Sequence, residues 1–181
     1  MKRPIVICIG ILLAVMAFLY SCKTDPPLPG NEYITTLKII ATNQTDLSID
    51  TFDYVNFNEA VSNPPSFVDT VRLKANTVYS IRLKLLNEAS NPLLDLSDSI
   101  TGLADKHLML YNIDPASGMI SAKINDKDSK GLPLGLMSTW RTSDTTSGFL
   151  RLILRHQPGN KNGTATPGNT DFEADYPVVV R

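Results

Sequence analysis

From Ile34 onward the chain alternates apolar and polar positions with a period of two, not the 3.6 of a helix. Residues 34–40 open with a β-branched run, and residues 47–57 carry Ile49, Phe52, Tyr54, Val55 and Phe57. A short third strand is predicted over 68–73, closed by the turn signal Asn76-Thr77. The clearest segment follows: Tyr79, Ile81, Leu83 and Leu85 share one face, Ser80, Arg82 and Lys84 the other. Such alternation predicts sheets with one buried and one wet face, as antiparallel sheets have. Further strands are predicted at 108–113, 120–124, 136–141, 149–156 and 172–180. Pro177 has no N–H to give a ladder, so it predicts an edge strand or a bulge. Residues 97–104 predict one or two helical turns, capped by Ser97 and weakened by Gly102. Short strands joined by Gly, Pro, Asn and Asp loops, with no repeated βα unit, predict an all-β fold. The expected architecture is an immunoglobulin-like antiparallel β-sandwich, with a small β-barrel as the alternative.

The N-terminus carries a different pattern. Met1, Lys2 and Arg3 form a short positive region, and residues 5–19 are an uninterrupted apolar run. At 1.5 Å per residue that run reaches roughly 22 Å, short of the ~30 Å hydrocarbon core of a bilayer. A positive start, a short apolar stretch and a small residue describe a secretory signal. The segment ends Leu19-Tyr20-Ser21-Cys22, which resembles the lipobox of bacterial lipoproteins. The resemblance implies cleavage before Cys22, a diacylglycerol thioether on its sulfur and N-acylation. The expected boundaries are a signal peptide over 1–21, a lipidated Cys22 with a Pro-rich tether over 22–32, and a β-sandwich domain over 33–181.

Cysteine usage fits that expectation. Cys8 leaves with the signal, so Cys22 is the one cysteine of the expected mature chain, and no internal disulfide is possible. Two or three acyl chains, at about 0.8 kcal/mol per buried CH₂, anchor essentially irreversibly. The net charge of the chain is −1, with 17 Lys+Arg against 18 Asp+Glu, which removes the large basic surface that nucleic-acid binding needs.

Catalytic signatures are absent from the sequence: it has no Gly-x-Ser-x-Gly elbow, no glycine-rich phosphate loop and no Cys-x-x-Cys pair. A non-enzymatic protein is expected. Three features carry candidate chemistry. Asp126-Lys127-Asp128-Ser129-Lys130-Gly131 begins like a calcium loop, but Lys130 stands where a ligand oxygen belongs and Met137 where a bidentate Glu belongs. An acidic hairpin turn is the expected reading. His107 and His156, the only two histidines, each fall at a strand end. Brought together, two neutral imidazoles hold a transition metal or haem iron, with Asp105 orienting a ring; kept apart, each is a satisfied strand-end histidine. Trp140, the lone tryptophan, plugs a core or stacks on a ligand.

The stretches Asn87-Glu88, Ala104-Asp105-Lys106-His107, Gly131-Leu132-Pro133-Leu134-Gly135-Leu136 and Leu154-Arg155-His156-Gln157-Pro158 resemble a family of small Bacteroidota lipoproteins. Members of that family are typically encoded beside TonB-dependent outer-membrane receptors. The resemblance implies a lipoprotein held by Cys22 on the periplasmic or surface face of the outer membrane. It further implies an accessory role in receptor-mediated capture of a ligand, metal or haem, with the receptor as partner. A structural or adhesive surface lipoprotein, contacting a protein partner through a sheet edge or loops, is the alternative.

Overall fold

The computed structural model describes residues 33–57, 64–115 and 118–181. The expected signal peptide, Cys22 and the Pro-rich tether lie outside the described residues. The described strands are β1 (Thr36–Asn43), β2 (Ile49–Val55), β3 (Phe67–Val68), β4 (Val71–Leu73), β5 (Val78–Asn87), β6 (Leu94–Asp95), β7 (His107–Asp114), β8 (Ile120–Ile124), β9 (Met137–Thr142), β10 (Thr146–His156) and β11 (Asn169–Val180). One helix, α1 (Ser97–Gly102), lies between β6 and β7.

Two sheets form, and neither closes on itself. The larger runs β3-β2-β1-β5-β9-β8, with β6 also pairing β5; the smaller runs β4-β11-β10-β7. The fold is therefore an all-β sandwich and not a barrel. The alternation in the sequence dictates which side chains meet between the sheets. Leu37, Ile39 and Ala41 of β1 and Tyr79, Ile81, Leu83 and Leu85 of β5 are buried on one side, facing Leu150, Leu152, Leu154, Ala174, Tyr176 and Val178. Tyr176 ties the layers with a polar contact, its hydroxyl donating to the Leu37 carbonyl at 2.6 Å.

Three expectations are corrected. The run over 68–73 is not one strand: β3 belongs to the larger sheet and β4 to the smaller. The chain changes sheets at Asp69, whose carboxylate and N–H both bond the Asp53 backbone. One pair is parallel, since β4 runs alongside Val178–Val180 of β11. Pro177 stands just before that stretch, where the outer flank of β11 is still unpaired, so its missing N–H costs the ladder nothing. Ser97 is the first residue of α1 rather than its cap; its hydroxyl accepts from the Leu85 N–H at 3.0 Å, while Asp95 accepts from the Ser97 N–H.

Candidate metal centre

His107 is the first residue of β7 and His156 the last of β10, and the antiparallel register sets them directly opposite each other. Both extend the inward-facing rows of their strands, Met109-Tyr111-Ile113 and Leu154-Leu152-Leu150, one step past the apolar core. Their rings stack, with centroids 4.9 Å apart and planes 13° from parallel. The side chain of His107 is 3% exposed and that of His156 is 36% exposed.

A third group arrives from β11. Leu154 pairs with Phe172 and Arg155 with Thr170, which leaves Asp171 as an extra residue in a β-bulge. A bulge re-aims a side chain that regular alternation would send elsewhere. The Asp171 Oδ2 lies 3.7 Å from His107 Nε2 and 3.9 Å from His156 Nδ1. One ligand atom from each of the three residues lies within 4.8 Å of the others. Among the described residues, no hydrogen bond reaches the Asp171 carboxylate.

Protonation follows from the surroundings. Burial pushes the His107 imidazolium down to about 4, against the pull of the Leu103 carbonyl, with the nearby cationic side chains acting in the same direction as burial. The ring is neutral at neutral pH. Its Nδ1 sits 3.1 Å from the Leu103 carbonyl oxygen, which only accepts, so the proton is on Nδ1 and the Nε2 lone pair faces Asp171. Burial pushes the Asp171 carboxyl up, opposed by His156 and Arg155.

The loop over 157–168 braces this corner. The Gln157 N–H donates to the Lys106 carbonyl, and its side-chain amide donates to the carbonyls of Thr164 and Pro167 at 2.9 and 2.7 Å. Gly168 has φ +93°, and a Cβ there would lie 2.1 Å from the His156 carbonyl oxygen, so only glycine lets the chain turn back against His156. Arg155 clasps the returning strand, donating to the Gly168 carbonyl and to the Thr170 hydroxyl. Lys161, almost wholly covered, pairs with Asp128 at 2.9 Å and donates to the Ala104 carbonyl at 2.8 Å.

The remaining candidates fall elsewhere. Asp105 is exposed in the turn before β7 and makes no described bond to either ring; the carboxylate beside them is that of Asp171. Trp140 is fully buried on β9, its ring edge-on to Tyr111. The acidic turn is a hairpin device: Asp126 accepts from the N–H groups of Gly135, Leu136 and Met137, and Asp128 from those of Lys130 and Leu132. Asp171 escaped the sequence reading because a bulge carries no signature in one sequence. The Gly168 next to it is the nearest thing to a signal.

Two imidazole nitrogens and one carboxylate suit a borderline divalent transition metal. At metal–ligand bonds of 2.0–2.1 Å, tetrahedral ligands stand roughly 3.3 Å apart. The two separations from Asp171, 3.7 and 3.9 Å, need to close by about half an ångström. Stacked rings aim their lone pairs in parallel, so coordination also requires the half-exposed His156 ring to turn out of the stack. No family model, no curated protein and no solved structure matches this chain.

Proposed function

We propose that this protein is a non-enzymatic lipoprotein, anchored to the outer membrane through Cys22, that captures a divalent transition-metal ion for a membrane receptor. The observation that carries the reading is the convergence of His107, His156 and Asp171, from three strands, with the Asp171 carboxylate left without a hydrogen-bond donor among the described residues. The Asp171 side chain is 12% exposed, so the carboxylate is open to an incoming cation that the two imidazole nitrogens also face. Three protein ligands leave the fourth tetrahedral position to water or to a receptor side chain, which suits a carrier that must release its ion. Haem fits less well. Its axial imidazoles approach the iron from opposite sides of the macrocycle, whereas these two rings lie face to face at 4.9 Å. The amino-terminal Ile5-to-Leu19 run and Leu19-Tyr20-Ser21-Cys22 support the anchor.

Titration of the purified lipoprotein in detergent with Zn²⁺, Ni²⁺ and Co²⁺ tests the reading. One ion per chain is expected, together with visible Co²⁺ bands of a nitrogen- and oxygen-ligated site. Equal affinity in the wild type and a His107→Ala/His156→Ala variant would overturn metal capture and favour the adhesive role, which makes no demand on these residues. Mass spectrometry of residue 22 and co-purification with an outer-membrane receptor in mild detergent test the anchor and the partner.

A further inference from the structure

Among the described residues, four of the eight large apolar side chains left in water lie together at one end of the larger sheet, while Leu47 and Ile49 are exposed at the other. Phe57, Phe67, Leu93 and Leu94 are 47%, 51%, 56% and 46% exposed. Phe67 pairs with Val55, and Phe57 follows Val55 by two residues, its carbonyl accepting a 2.6 Å bond from the Tyr33 hydroxyl. Val55 pairs with Thr36, Thr36 with Leu86, and the adjacent Asn87 with Leu94. Five neighbouring strands, β3-β2-β1-β5-β6, therefore end on one rim, about 19 Å wide at ~4.8 Å per strand.

The chain enters the domain at this same rim, since Tyr33 is the first described residue and precedes β1. Cys22 lies eleven residues upstream, and an extended chain covers at most ~3.6 Å per residue, so acyl chains on Cys22 keep the rim within about 40 Å of a bilayer. A bilayer held that close is present at high effective concentration, and weak insertion then suffices. Phe, Tyr and Leu are the side chains that settle at a membrane interface. The acidic Asp95 beside Leu94 is paired with Lys84 at 2.9 Å, which reduces the cost of bringing it to the membrane surface.

The geometry points to a lipid bilayer as the partner of this rim: Tyr33, Phe57, Phe67, Leu93 and Leu94 seat in the interfacial layer of the membrane that holds Cys22. The inference rests on the lipidation reading above. It also orients the metal centre. β9 sets Arg141 against Val78 at the far end of β5, and β10 then runs back from Thr146 to His156. The triad therefore opens at the rim end of the sandwich, toward the membrane and toward any receptor embedded in it.

The test uses the full lipoprotein in phosphatidylcholine vesicles, with an environment-sensitive NBD label on single-cysteine variants Phe67→Cys, Leu93→Cys and Leu47→Cys. Leu47, 72% exposed, sits on the β1–β2 hairpin at the opposite end and serves as the control. Blue-shifted emission and at least about twofold quenching by a nitroxide near the lipid carbonyls are expected at positions 67 and 93, and neither at 47. Acylated protein that floats with the vesicles but emits alike from all three positions would overturn the seated rim alone. An unacylated residue 22 would remove the anchor and the proposal together.

Discussion

Two carboxylates flank the loop over 157–168, and they are finished in opposite ways. Burial alone would push the Asp128 carboxyl up, but the Lys161 ammonium and the N–H groups of Leu132 and Lys130 outweigh it and hold the group below its usual range. Its Oδ1 accepts from two backbone N–H groups, and its Oδ2 faces the covered Lys161 ammonium at 2.9 Å. Asp171 has no such donors among the described residues; it faces two imidazole nitrogens at 3.7 and 3.9 Å, and burial pushes its carboxyl up. The first carboxylate staples a hairpin to a loop. The second is poised for something else to arrive.

The sharpest way to break this contrast is to unfill the first carboxylate. Lys161→Met leaves Asp128 covered and unpaired, and is expected to cost about 3 kcal/mol in urea denaturation. Metal affinity should fall only as far as the loop loosens.

Next in size is a pH effect. The unfolded chain binds a proton at His107 below about 6.5, and the folded chain does so only near 4. In that window the unfolded state holds more protons, so stability falls as pH drops from 6.5 towards 4. Asp171 acts the other way, because its raised folded value adds stability as pH falls through it. A net loss of about 2 kcal/mol between pH 7 and pH 4 is expected for the wild type. His107→Gln should flatten the curve, and an unchanged slope would show that the ring is not held neutral.

Asp171→Ala should lower Zn²⁺ or Co²⁺ affinity ten- to a hundredfold, by titration, with stability unchanged within about 1 kcal/mol. Asp105→Ala, a loss of the same group from an exposed turn, should change neither beyond about 0.5 kcal/mol. Equal losses from the two variants would erase the distinction between them. Smallest among the measurable effects is Trp140→Phe, expected to cost about 1 kcal/mol of stability and no affinity, since the indole is fully buried between the sheets and Nε1 has no described partner.

The sandwich was legible because its strands alternate. Tyr79 to Leu85 and Leu150 to Leu154 place their apolar faces in the core as their spacing requires. The two-residue β3 and β6 were not legible as separate strands, since two residues carry no period. Two of the three residues of the candidate centre were also within reach: both histidines stand at strand ends. What no periodicity reveals is that β7 and β10 are neighbours, because β8 and β9 intervene in sequence and belong to the other sheet. Proximity along the chain favoured Asp105, two residues from His107. Proximity in space selected Asp171, far along the sequence, through a register shift that only tertiary pairing defines.

That register shift has a genetic corollary. Asp171 is surplus to the ladder, with Thr170 and Phe172 already matched to Arg155 and Leu154. Removing its one codon would leave a regular hairpin with every apolar contact intact, and inserting one would create the ligand afresh. If the centre binds an ion as proposed, that trait rests on one residue that the ladder does not need.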